Sequence, residues 1–196
     1  GGKTLAETYR MARQTDPVSA FWGVVGLNRE VDGEAAQELT STFLEAIIAP
    51  GFSPQALEVF CARKDLRLLE TGPWPQGSSF PGEWDMKRVR GGMMIQDRDL
   101  GTLDSGQLKV GTKRAPSEQE MEALRFAWKV IKHIKSNAIL LAQANQTIGV
   151  GAGQMSRVDS VKIAVMKAQF PTAGTVLASD AFFPFRDGID EAARAG

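Results

Sequence analysis

Apolar residues recur along the chain with two periods, and the change from one to the other divides it into elements. Leu5, Tyr9 and Ala12 share a helical face and predict a short helix over 5–13, broken by Asp16-Pro17. FWGVVGLN, at 21–28, reads as a buried strand whose ends are blurred by glycine, and Asp32-Gly33 reads as a turn. Ala36, Leu39, Phe43 and Ile47 follow at helical spacing, so an amphipathic helix is predicted over 34–46. Ile47, Ile48 and Ala49 form an apolar segment closed by Pro50. Ser53-Pro54 opens another helix, with serine as the cap and proline at the first position. Residues 66–69 are strand-like.

Between 70 and 84 the pattern lapses. Gly72, Pro73, Pro75, Gly77, Pro81 and Gly82 predict a long loop that carries Trp74 and Trp84. A linker and a loop laid on another surface both fit, and the tryptophans favour the second. RVRGGMMIQ, at 88–96, resumes strand character, 97–107 is a polar connection, and 108–110 is a short strand. Ser117 and Glu120 form a capping box for the strongest helix, whose apolar face is Met121, Leu124, Trp128, Ile131 and Ile134. A strand over 138–142, a hairpin at Ala144-Asn145 and a strand over 147–150 follow. A helix over 156–168 turns Val161, Ala164, Val165 and Ala168 inward. The chain then runs through a buried strand at 175–178, an aromatic loop at 180–187 and a short helix at 190–195. Strands alternate with helices throughout, which is the α/β class. Two similar halves fit this order, though no sequence repeat demonstrates them.

Composition narrows the functional classes. Hydrophobic residues are 43% and charged residues 23% of 196, enough to bury a core. Lys+Arg and Asp+Glu balance at 23 each, so overall charge gives no argument for nucleic acid or a membrane surface, and any anion site is local. Cys61 is the only cysteine, which excludes an internal disulfide and points to a reducing, cytoplasmic setting. With one histidine, His133, and one cysteine, a metal site is not expected.

Candidate chemistry gathers in the second half. Asn137 stands where a helix pattern gives way to a strand, and GVGAGQMSR, at 149–157, delivers Arg157 to the start of the next helix. The glycine spacing is not a dinucleotide fingerprint, and no Lys-Ser/Thr follows as in a phosphate loop. A tight turn needing positive φ accounts for the glycines. A serine cap with an arginine at a helix N-terminus also fits a small anionic ligand. In SDAFFPFRD, at 179–187, the phenylalanines either pin a loop to the core or form a stacking platform, with carboxylates accepting from a ligand's N–H groups. His133 reads as structural or exposed, and Lys64 by itself as a solvated lysine.

Read together, KSNAI, TIGVGAGQMSRVDS and ASDAFFPFRDGID resemble the transformylase domain of the bifunctional purine biosynthesis family, phosphoribosylaminoimidazolecarboxamide formyltransferase, which is usually fused to IMP cyclohydrolase. TDPVSAF, FLEAIIAPGF, KDLRLL, RGGMMIQDRD and LRFAWKVIKHIKSNAI extend the resemblance over essentially the whole chain. It implies tandem cytidine deaminase-like units, mixed sheets with flanking helices and no zinc, at 1–115 and 116–196. It implies a cytoplasmic enzyme that transfers a formyl group from 10-formyltetrahydrofolate to the 5-amino group of aminoimidazole carboxamide ribonucleotide (AICAR). By the resemblance, Asn137 is the catalytic residue and contacts the nucleotide. Arg157 and Phe182 hold the nucleotide, Lys64 its phosphate, and Glu45 reads the base. Val158, Pro184, Phe185 and Asp187 line the folate side. A homodimer with shared sites is implied, without nucleic acid or membrane partners.

Two departures accompany the resemblance. The family's catalytic Lys-His pair is expected just ahead of Gly1, and neither that pair nor the cyclohydrolase domain occurs within these residues. Trp22 stands where the family has glycine near the nucleotide, so an indole either fills that space or points away from it. Formyl transfer by a complete enzyme of which these residues are the middle is the first reading, and without the Lys-His pair these residues alone are expected to be inactive. A truncated relative that binds nucleotide or folate, or pairs with another subunit without catalysis, is the second.

Overall fold

Short polar side chains fix where the helices begin, by accepting hydrogen bonds from amides that the first turn leaves unpaired. In the computed structural model, which describes residues 2–73 and 84–196, Thr4 caps α1 (Leu5–Gln14) and Asp32 caps α2 (Gly33–Thr40). Ser53, with Pro54 behind it, starts α3 (Pro54–Phe60), and the capping box of Ser117 and Glu120 starts α4 (Glu118–Ile131). Ser156 caps α5 (Arg157–Lys167), and α6 (Asp187–Arg194) begins without a side-chain cap.

The first sheet is parallel, with β1 (Gly23–Gly26), β2 (Leu44–Ala49) and β3 (Arg67–Glu70) side by side in that order. α2 and α3 make the crossovers, as parallel pairing requires. Val31, Ala36, Leu39, Ile47, Ala56 and Phe60 form its core. The second sheet places β6 (Ile139–Gln143) between β7 (Gln146–Gly151) and β8 (Val176–Ser179), antiparallel to both. Both faces of β6 are covered. Leu140 and Ala142 pack with Ala127 and Ile131 of α4, while Ile139 and Leu141 pack with Val161 and Ala164 of α5. This explains why the strand reads as an unbroken apolar run rather than an alternation. A third, two-stranded sheet pairs β4 (Trp84–Val89) with β5 (Gly92–Asp97). The large sheets meet across α1 and β7. Thr15 Oγ1 donates to Thr147 O at 2.8 Å, and Lys167 Nζ lies 2.6 Å from Asp16 Oδ2.

The class is mixed α/β, but several predicted bounds shift. The helix predicted over 34–46 stops at Thr40, and Ile47 belongs to β2. Thr40 Oγ1 and Ser41 Oγ donate back to the carbonyls of Gln37 and Glu38, at 3.0 and 2.6 Å, and such back-bonding competes with continuation of the helix. Helical spacing ran on by coincidence through Phe43, which is exposed. The strand predicted over 21–28 shrinks to Gly23–Gly26, its start set by Trp22, which turns into the left-handed region at φ 66°. The strand predicted over 88–96 is a hairpin, turning at Arg90-Gly91 with Gly91 at φ 84°. No strand forms at 108–110. The final helix begins three residues ahead of the predicted 190, at Asp187. Most of the loop predicted over 70–84, including Trp74, lies outside the described residues, as does Gly1.

Candidate ligand-binding site

The site is built where the start of β6, the N-terminus of α5 and the end of β8 converge. Glycine makes that convergence possible, but mostly not through positive φ. A Cβ on Gly149 would stand 2.1 Å from Ala164 O, and one on Gly151 would stand 1.9 Å from Ser160 O. These glycines let α5 lie directly on β7. Only Gly153 of the run has the left-handed backbone expected of a turn, at φ 68°.

Asn137 is held on every side. Its Nδ2 donates to Gln154 O at 2.9 Å and Met155 O at 3.1 Å, and its Oδ1 accepts from Arg157 Nη2 at 2.9 Å. Its backbone carbonyl accepts from the hydroxyl of buried Ser160 at 2.8 Å. The Ser136–Asn137 peptide bond is cis.

Arg157 is not the free cation that its position at a helix start implied. Its side chain is 8% exposed, and Nη1 lies 2.5 Å from Asp180 Oδ1 and donates to Ser179 Oγ at 2.7 Å. Asp180 Oδ1 also accepts from the Ala138 amide at 2.9 Å, and Oδ2 accepts from the Ser136 hydroxyl. Burial alone would raise the Asp180 carboxyl, but the hydrogen bonds from Ser136, Arg157 and Ala138 outweigh it and hold the group down at about 2. The sequence offers the carboxylates of the aromatic loop as acceptors for a ligand, whereas Asp180 spends both oxygens on Ser136, Ala138 and Arg157. The sequence carries no local sign that it pairs with an arginine on another element, and Ser136, Ser160 and Ser179 were missed for the same reason.

Beside this clamp lies a cavity of about 410 Å³ lined by residues from 137, 155–158, 181–185 and 187. It brings together Asn137, Arg157, Val158, Phe182, Pro184, Phe185 and Asp187. The phenylalanines divide the two roles that the sequence left open. Phe183 pins the loop, packing against the core beside Val161 with the Arg157 guanidinium 6.0 Å from its ring centre. Phe182 and Phe185 stand exposed at the cavity. A floor of fixed polar groups under free aromatic faces suits a flat heterocycle carrying hydrogen-bonding edges.

The remaining predicted residues sit elsewhere, at the ends of the parallel strands where those strands begin. Trp22 precedes β1, Glu45 is near the start of β2, and Lys64 precedes β3. The indole points away from the core, 62% exposed, in edge-to-face contact with Phe43 at 5.6 Å and Phe21 at 6.2 Å. Its Nε1–H donates to Glu45 Oε1, while Arg67 Nη1 lies 2.5 Å from Glu45 Oε2. Lys64 lines a separate cavity of about 330 Å³ with Arg63, Thr40 and Thr42. Among the described residues no group of His, Cys, Asp and Glu could hold a metal, and no helix is long and apolar enough to cross a membrane.

Fold and cavity together define a mixed α/β protein with an aromatic-walled cleft over a fixed polar clamp. The family described as the AICARFT/IMPCHase bienzyme matches residues 1–167. The chain is 55% identical over 202 residues to the bifunctional purine biosynthesis protein PurH of Magnetococcus marinus, covering 98% of this chain and 38% of that protein. It is 52% identical over 200 residues to PurH of an Anaeromyxobacter species, covering 100% of this chain and 38% of that protein. The chain belongs to the AICARFT/IMPCHase bienzyme family. It spans well under half the length of these relatives.

Proposed function

We propose that this chain carries the transformylase site of a purine biosynthesis enzyme and transfers a formyl group from 10-formyltetrahydrofolate to the 5-amino group of AICAR. The observation that carries this reading is the single cavity in which Asn137, Arg157, Val158, Phe182, Pro184, Phe185 and Asp187 converge. The nucleotide lies against Asn137, Arg157 and Phe182, and the folate against Val158, Pro184, Phe185 and Asp187. Because the Arg157 charge is matched by Asp180, Arg157 acts chiefly by fixing Asn137 Oδ1. That leaves the Nδ2–H now on the exposed Met155 carbonyl to be exchanged for the nucleotide's carboxamide oxygen. In the reaction the amine nitrogen bonds to the formyl carbon, the bond from that carbon to N10 breaks, and the amine's proton passes to N10. A poorly nucleophilic amine needs a base and a stabilised tetrahedral oxyanion. Asn137 has one exchangeable amide hydrogen, which can serve either the carboxamide oxygen or the oxyanion, and no titrating atom, so the base is another group.

In the same reading, 1–115 and 116–196 are tandem cytidine deaminase-like units that work without zinc, the enzyme is cytoplasmic, and it self-associates. A second reading is binding without catalysis, since the family's catalytic Lys-His pair is not among these residues. Calorimetric titration with AICAR, with and without a folate analogue, followed by a formyl-transfer assay, tests both. Binding that Asn137→Ala abolishes is expected of these residues, with turnover only in a chain that also carries the family's Lys-His pair. Binding without turnover in that form as well establishes the second reading, and no binding by folded chain overturns both.

A further inference from the structure

Among the described residues, Ser160 is the one polar residue with no exposure at all. It stands on α5, three residues after Arg157. A serine inside a helix ordinarily turns its hydroxyl back onto the carbonyl four residues earlier. Ser160 has that carbonyl within reach, Ser156 O at 3.3 Å, yet its shorter bond leaves the helix for Asn137 O at 2.8 Å. A hydroxyl has one proton to give, and the distances assign it to Asn137. The Gln154 amide also reaches Asn137 O, but at 3.4 Å. Gly151 lets the helix come this close, since a Cβ there would stand 1.9 Å from Ser160 O.

Arg157 and Ser160, at i and i+3, lie on one face of the helix. From that face the guanidinium holds Asn137 Oδ1 at 2.9 Å, and the hydroxyl holds the Asn137 backbone carbonyl at 2.8 Å. One bond to the side chain would leave the residue free to turn about it. A second, at the backbone, removes that freedom. We propose that Ser160 is a positioning residue for the ligand cavity. By holding the Asn137 carbonyl it aims the Nδ2–H that now rests on Met155 O, at the cavity wall, toward the carbonyl oxygen of a ligand. The effect on a ligand rests on the nucleotide reading above, whereas the effect on Asn137 stands without it.

The test uses the full chain with Ser160→Ala, and with Ser160→Cys, which keeps a weaker donor in nearly the same shape. Thr15→Val is the control, because it removes another buried hydroxyl, the one that donates to Thr147 O at 2.8 Å. Heteronuclear NMR reads the Asn137 side-chain amide, whose signal is identified by its absence in Asn137→Ala. Ser160→Ala should speed exchange of these protons with water about tenfold, which is what loss of one hydrogen bond produces. Ser160→Cys should speed it less, and Thr15→Val not at all. AICAR affinity, by calorimetry, should fall by about the same factor and in the same order. Unchanged exchange in Ser160→Ala, or an equal change in Thr15→Val, overturns the positioning role. Faster exchange with AICAR affinity unaltered overturns its part in binding. A chain with Ser160 intact that binds no AICAR overturns the nucleotide reading, and amide exchange still decides what Ser160 does to Asn137.

Discussion

The two large sheets handle a charged pair in opposite ways. Beside the antiparallel sheet, Arg157 and Asp180 are largely buried, and each carries further hydrogen bonds, from Ser136 and the Ala138 amide or to Asn137 and Ser179. At the starts of the parallel strands, Glu45 divides itself between Trp22 and Arg67, whose side chain is 68% exposed. A buried pair loses its hydration and is held by geometry, so removing one partner strands the other. An exposed pair competes with water and contributes little. The first arrangement suits a fixed floor for a ligand, and the second suits carboxylates and cations that can change partners.

The sharpest way to break the comparison is Asp180→Ala. Leaving Arg157 buried and unpaired should cost roughly 3–5 kcal/mol in urea unfolding, and adding Arg157→Met should recover part of it. A single variant costing no more than an exposed pair would erase the contrast. Acid sharpens it next. Asp180 is held at about 2 against an ordinary 3.8, so its contribution is present above the ordinary value and is lost as pH falls through about 2. That difference is worth about 2 kcal/mol, and Asp180→Asn should flatten this part of the pH–stability curve. Glu120 is held equally low by Arg114, but at the surface, so added salt should move its titration and leave that of Asp180 nearly unchanged.

Smaller effects belong to the parallel sheet. At φ 66° a tryptophan backbone is strained by about 1–2 kcal/mol, which glycine would relieve. Trp22→Gly also loses the edge-to-face contacts with Phe21 and Phe43, so thermal unfolding should shift by less than about 1 kcal/mol. Arg67→Ala should change stability least, by at most about 0.5–1 kcal/mol, and by nothing measurable in high salt.

What could be read from sequence depended on range. Caps such as Ser53-Pro54 and Ser117 with Glu120 act within one turn, and they placed α3 and α4 correctly. The unbroken run at 138–142 showed a strand covered on both faces. The helix predicted through Phe43 failed because a periodic pattern says nothing about hydroxyls folding back at Thr40 and Ser41. Residues of the cavity were legible through resemblance, and the loop around Phe182 also through its composition. The pairing of Arg157 with Asp180 was not, since residues 23 apart in sequence meet only once β8 lies beside β6. The role of Gly149 and Gly151 was not legible: the sequence suggests a turn needing positive φ, whereas their missing Cβ lets α5 lie against β7.

The central place of β6 has a consequence for exchange of its amide hydrogens with solvent. Its backbone is bonded to strands on both sides and covered by α4 and α5, so these amides are released only when the second sheet comes apart as a whole. In heavy water the amides of 139–142 should therefore be among the last to acquire deuterium. The exposed pairs between Trp84 and Asp97 should exchange by local fraying, well before them.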